Sequence, residues 1–398
     1  MPSDQFDYII IGAGIIGLSI ARTIKAERPT SAVLILEKEA DIGAHSSGRN
    51  SGVLHGGFYY TANSLKARFT VDGNRLMKDF CRQKGIAFND CGKLVVAMDD
   101  HELEQLYELE RRGIRNGSNI RLISDAQARE MEPAVFTHKK ALYSPETASL
   151  DPKEVLQALK TDLLSKGVQI WFNAKYISHQ GNTVCTTRGN AQAGKLINCA
   201  GLYADKVAQD YGFGRKYTMI PFKGLYLKYA KNKTDVKMNI YPVPNLKNPF
   251  LGVHYTKTVD GTIKIGPTAI PAFWRENYTL REGFNLAEML EAGWYEAKLF
   301  TTNAFGFRDL AFEEMAKYNK EHFISLAVKM VPVDPKGFGE FTRPGIRAQL
   351  LDKTTSLLVQ DFVVEADKAS VHVLNAVSPA FTCAFPFAQF VWREYINK

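Results

Sequence analysis

The sequence has little of what marks a secreted, metal-binding or membrane-spanning chain. Its five cysteines (Cys81, Cys91, Cys185, Cys199 and Cys383) are scattered, odd in number and form no CxxC pair. That spacing argues against a disulfide framework and against a zinc site, so no metal is expected. No apolar run is long enough to cross a bilayer; the most apolar early stretch, YIIIGAGIIGLSIA, is cut by three glycines. A basic start and a small-residue cleavage site, the marks of a signal peptide, are missing too. So are the Lys/Arg clusters of a nucleic-acid arm, which removes nucleic acid from the expected partners. There is no low-complexity tract, internal repeat or disordered linker. The expectation is an ordered cytoplasmic protein. Its net charge of +8 suits an acidic small-molecule substrate, and is compatible with peripheral docking to the inner membrane.

What is present begins at the N-terminus. With 398 residues the chain can form two domains or one large elaborated one. FDYIIIGAGIIGLSIARTIKAERPTSAVLILEKE reads as strand, tight turn, helix, strand. Gly12 permits the turn, Gly14 lets backbone approach a pyrophosphate at the helix N-terminus, and Gly17 lets helix and strand pack closely. Glu37, twenty residues after Gly17, can accept from both ribose hydroxyls and would repel the ribose phosphate of NADP. NAD and FAD remain. A plain NAD domain usually continues into another βαβ unit, whereas this chain runs into ADIGAHSSGRNSG. Small hydroxyl residues and glycines there can wrap a pyrophosphate and ribityl chain, so FAD is the better ligand. Lys38, Ser46, Ser47, Arg49, Asn50, Ser51 and Gly52 join its expected binding residues.

Further along, helical patterns cover Asn63 to Lys84, DDHELEQLYELERRGIRNG and DPKEVLQALKTDLLSKG, the last with Asp151 as cap. GKLVVAM reads as a strand. An apolar strand then ends in Cys199-Ala200-Gly201, small residues that again let backbone lie close to a nucleotide. From Tyr217 to about Ile265 the pattern turns to strands, PFLGVHYT among them, followed by two amphipathic helical stretches between Phe284 and Met330. The expected fold is α/β: a Rossmann-like FAD-binding domain assembled from 1–90, 146–216 and 344–398. An antiparallel-sheet α+β substrate domain, 91–145 and 217–343, is inserted between those pieces.

The chain resembles the glycine oxidase and D-amino-acid oxidase superfamily, and more closely the L-2-hydroxyglutarate dehydrogenases and oxidases. The resemblance rests on SGRNSGVLHGGFYYTANSLKARF, CGKLVVA, INCAGLYADKVA, PFKGLYL, IYPVPNLKNPFLGVHYTKTVDGTIKIGP, GIRAQLLD and VLNAVSPA, in family order over nearly the whole chain. It implies non-covalent FAD and oxidation of an L-2-hydroxy acid to a 2-oxo acid. It places His55 near the flavin N5 edge as proton acceptor, with Tyr59 and Tyr60 shaping the pocket. Arg347 falls where glycine oxidase-like enzymes hold the substrate carboxylate, and Lys223 where the family has a basic residue for a second carboxylate. His254, Tyr241 and Arg343 are further substrate-binding candidates, with core packing or a surface ion pair as their alternatives. The first turn of the last helix, Pro379, Ala380, Phe381 and Thr382, would aim its amides at the flavin N1–C2=O edge. Three positions depart from the family pattern: Arg49 replaces a histidine, Thr268 an asparagine, and Phe381 a small residue. Two competing readings are a flavin oxidase of an amino acid, amine or glycerol 3-phosphate on the same fold, and a flavin-bearing scaffold without turnover. Quinone and oxygen are both open as electron acceptor.

Overall fold

The computed structural model describes residues 4–244 and 252–398. The stretch 245–251, which falls inside the quoted IYPVP block and the start of the expected PFLGVHYT strand, lies outside them.

The strand Asp4–Ile11 has four buried residues in a row at its end, as a parallel strand covered on both faces requires. It pairs in parallel with Val33–Leu36 on one side and Gly189–Asn198 on the other. Ile11, Leu36 and Asn198 lie level, so the chain leaves the sheet at Gly12, Glu37 and Cys199 on one common edge. That edge is where open α/β sheets bind ligands. The sheet continues to Gln169–Trp171 beyond Val33–Leu36, and Ser370–Asn375 adds a parallel strand against Gly189–Asn198. One face is covered by the helix Ile15–Glu27 packed against Ala380–Val391, which in turn meets Leu65–Lys84.

Among the described residues, a second large sheet has eight strands and is built from 93–144 and 227–341. Its centre sets Lys93–Val96 parallel to Asn239–Pro242, with His254–Lys257 next in order. Mostly antiparallel pairing agrees with the expected inserted layout.

One boundary differs. The strand Gly345–Asp352, expected in the nucleotide-binding part, pairs along its full length with Tyr217–Gly224 in a separate four-stranded sheet. Alternation along these two strands sends Phe222 and Arg347, direct partners, to the same side. The helical region also differs, giving three helices where two were read: Leu286–Thr302, Phe307–Ala316 and Lys320–Val328. Asn303 in a left-handed conformation stops the first, and Asn319 caps the third by accepting from the His322 amide.

Candidate active site

A cavity of about 690 Å³ runs between the nucleotide edge and the two capping sheets. At one end the Gly12 backbone has φ +102°, and a Cβ there would sit 2.5 Å from the Cys199 carbonyl oxygen. At Gly17 a Cβ would lie 2.0 Å from the Gly12 carbonyl, so Gly17 serves the turn from outside the cavity, as its packing role requires. Glu37 accepts from the amides of Ala13 (3.0 Å) and Glu39 (3.0 Å), which fixes its carboxylate at the strand end.

The serine-rich loop is fastened on both sides. Ser47 Oγ accepts from the Ile15 amide (3.0 Å), and Ser46 Oγ donates to the Ile346 carbonyl (2.6 Å). Asn50 donates to the Ser47 carbonyl and accepts from the Gly52 amide. Gly345 has no room for a side chain, since a Cβ would stand 2.3 Å from the Arg49 carbonyl. Arg49 lies over the Tyr278 ring at 3.9 Å, and His45 Nδ1 meets the Tyr278 hydroxyl at 2.7 Å. Ser46, Ser47, Arg49, Asn50 and Ser51 line the cavity, as do Cys199, Ala200 and Gly201; Gly52 does not. A Cβ on Gly52 would meet the Leu150 carbonyl at 2.2 Å, so that glycine serves strand packing and is corrected from a ligand contact.

Glu39, His45 and Glu276 also gather there, near enough to suggest a metal. The Lys38 ammonium already contacts both carboxylates, reaching Glu276 at 2.7 Å, so this group is an ion-pair network.

At the other end stands His55. Its amide donates to Thr382 Oγ1 (3.2 Å) and its carbonyl accepts from Asn74 (3.2 Å), which ties the loop to two helices. The imidazole is buried, and its Nδ1 has no hydrogen-bond partner among the described residues. Burial, then the charge of Lys93, then His254 hold its pKa well below the usual histidine value. The imidazole is therefore neutral around pH 7. His254 stacks on the Tyr241 ring at 3.6 Å, its Nδ1 meets the Gly252 carbonyl at 2.9 Å, and burial takes it down to about 3. Tyr60, Tyr241, His254 and Arg347 line the cavity beside His55, with Pro379, Ala380, Phe381 and Thr382 closing it. Arg347 is half-buried; desolvation lowers its pKa, while Tyr226, Glu314 and Tyr60 favour its charge.

Two expected substrate residues are corrected. Lys223 points away from the cavity, because Phe222 and Gly224 take the inward positions of its strand, and its ammonium donates to Asn277 Oδ1 at 3.1 Å. Arg343 is exposed, outside the cavity and paired with Glu282. Sequence reasoning missed Lys66, which lines the cavity while only 8% exposed, and Lys93 beneath it. Both sit inside quoted blocks, SLKARF and CGKLVVA, but helical and strand periodicity hid them.

Together a glycine cradle, the Glu37 carboxylate, a neutral imidazole and the Arg347 guanidinium on one cavity fit a dinucleotide-dependent oxidoreductase. The residues fit FAD: the cradle leaves no room for side chains, and one cavity touches both the cradle and His55. The FAD dependent oxidoreductase family model matches residues 7–391, and the chain belongs to that family. It is 34% identical over 394 residues to the L-2-hydroxyglutarate dehydrogenase of Escherichia coli K12, covering 97% of this chain and 92% of that one. The human mitochondrial L-2-hydroxyglutarate dehydrogenase is 32% identical over 422 residues, covering 98% and 89%. Among solved structures, the FAD-bound L-alpha-glycerophosphate oxidase of Mycoplasma pneumoniae superposes with a TM-score of 0.74 at 22% identity, covering 98% and 94%. Glycine oxidase from Geobacillus kaustophilus gives 0.74 at 15%, covering 100% and 96%. These two similarities support the fold alone.

Proposed function

We propose that this protein oxidises L-2-hydroxyglutarate, or a close 2-hydroxy diacid, to the 2-oxo acid with non-covalent FAD. The observation that carries this reading is the joint placement of His55 and Arg347 on the cavity that begins at the nucleotide cradle. The family resemblance of the two dehydrogenases supports the substrate. Gly12, Gly14, Glu37 and Ser47 would hold the dinucleotide, and FAD, when bound, supplies the hydride acceptor.

Arg347 would hold the carboxylate beside C2, a charge-assisted contact worth about 1.5–3 kcal/mol. His55, neutral and buried, accepts the hydroxyl proton as C2 is oxidised. Tyr60 and Phe381 exclude water from that end. With Lys223 outside the cavity, Lys66, which lines it, is the candidate cation for a second carboxylate. Cys383 is buried off the cavity with its Sγ against Thr70 Oγ1 (3.3 Å), and burial pushes its thiol up to about 12, which supports non-covalent binding.

Anaerobic addition of candidate acids tests this directly. L-2-Hydroxyglutarate should bleach the flavin faster than L-lactate, glycerol 3-phosphate or an amino acid; a better response to any of those three overturns the substrate.

The same reading includes peripheral contact with a membrane surface. Among the described residues no helix is long and apolar enough to cross a membrane. Yet Leu286, Leu290 and Trp294, spaced by four on one helix, are 56–70% exposed, with Leu280 and Phe312 exposed nearby in the chain. Flotation with anionic vesicles checks it, and Trp294→Glu should weaken it.

A further inference from the structure

Lys93 is buried at 0% exposure, and its ammonium meets no hydrogen-bond acceptor among the described residues. Such a group opposes folding, so its presence calls for a role. Its strand sets Lys93 opposite Asn239 and Val95 opposite Tyr241, which puts the side chains of Lys93 and Tyr241 on one face. The Lys93 Nζ lies 3.7 Å from the Tyr241 ring centroid, with the Tyr59 and Phe58 rings at 5.2 and 5.8 Å. Tyr241 in turn stacks on His254 with only 15° between the rings. An aromatic cage of this kind attracts a cation by the negative faces of its rings.

The groups around this floor carry almost no negative charge. Cys91 is on the strand of Lys93; Tyr59 and Tyr60 come from the His55 loop; Tyr241 and His254 come from the neighbouring strands. Arg347 acts from the capping strand on His254 and Tyr60; Cys383 faces Tyr60, while Lys66 and Cys383 face each other from the two helices, with the Asp361 carboxylate acting on that pair. No carboxylate contributes to the state of His55 or Lys93.

We propose that Lys93 is a positioning residue for the oxidation: caged behind the cavity floor, it braces the Tyr241–His254 stack and sets the charge surroundings in which His55 takes up the proton. This rests on the reading of His55 as the base. Like charges that share a dry setting disfavour each other, and the cage stabilises the charge on the lysine. Burial brings Lys93 itself to about 7, so this control operates most strongly on the acid side of neutrality.

Lys93→Met and Lys93→Arg provide the test, with flavin content as the check on folding and Lys93→Gln in reserve should Lys93→Met not fold. The rate of anaerobic flavin reduction by L-2-hydroxyglutarate is measured across pH. In parallel the His55 imidazole is titrated by NMR, its resonance identified with His55→Gln. Lys93→Met should move both the acid limb and the imidazole titration upward by on the order of one pH unit. Lys93→Arg should leave both near their wild-type positions. A uniform loss of rate with the titration unmoved, or a Met variant indistinguishable from wild type, overturns the proposal. A wild-type flavin that L-2-hydroxyglutarate fails to bleach contradicts the proposed function instead, and the NMR titration still decides the role of Lys93.

Discussion

The two ends of the cavity are built on opposite principles. At the nucleotide end polar side chains are tied down: Glu37 by two amides, Ser47 by the helix start, Lys38 between two carboxylates. At the reacting end His55 Nδ1, the Tyr59 hydroxyl and the Lys93 ammonium are buried with no hydrogen-bond partner among the described residues. The first arrangement stores a rigid shape for one invariable ligand. The second leaves His55 Nδ1 for a reacting molecule to engage and keeps a charged lysine behind it, at a cost to stability. Their difference teaches that cofactor retention and turnover should separate cleanly under mutation.

The sharpest attempt to break that separation is His55→Ala. The rate of flavin reduction should fall by about 10²–10⁴-fold while the flavin stays bound; a near-normal rate in a flavin-loaded variant returns His55 to packing. Next, Arg347→Met should lower kcat/KM by roughly one to two decades, the worth of one charge-assisted contact. At the opposite end, Glu37→Gln should weaken FAD binding by about tenfold. The reduction rate per bound flavin should hold, which equilibrium dialysis and stopped-flow absorbance measure separately. The smallest effect belongs to Lys223→Met: kcat/KM should stay within about twofold, since an exposed or outward contact is worth only a few tenths of a kcal/mol.

How much of this could be read from residues follows the same division. The nucleotide end is local in the chain: strand, Gly12–Gly17 turn, helix and Glu37 all fall within forty residues, and hydrophobic periodicity places them. The reacting end is assembled from His55, Lys66, Lys93, Tyr241, His254, Arg347 and Thr382, brought together by three sheets and two helices. Resemblance pointed to His55 and Arg347. It could not show that alternation turns Lys223 outward beside Phe222, or that Pro344 leaves Arg343 exposed to Glu282. Lys93 escaped notice because a lysine at the start of an apolar strand reads as a solvated edge, whereas here a parallel neighbour and the His55 loop cover it. Likewise, pairing of Gly345–Asp352 with Tyr217–Gly224 spans more than a hundred residues of sequence, a separation that no local pattern reports.

The measurement that tests the central claim most directly is anaerobic flavin reduction by the two enantiomers of 2-hydroxyglutarate, followed by absorbance with the 2-oxo acid quantified. On the proposed reading, which fixes one carboxylate at Arg347 and the hydroxyl at His55, only one enantiomer would turn its C2 hydrogen toward the flavin. The L form should bleach the flavin and yield one 2-oxo acid per flavin, and the D form should leave the spectrum oxidised. Equal bleaching by both, or bleaching by the D form alone, would contradict the account.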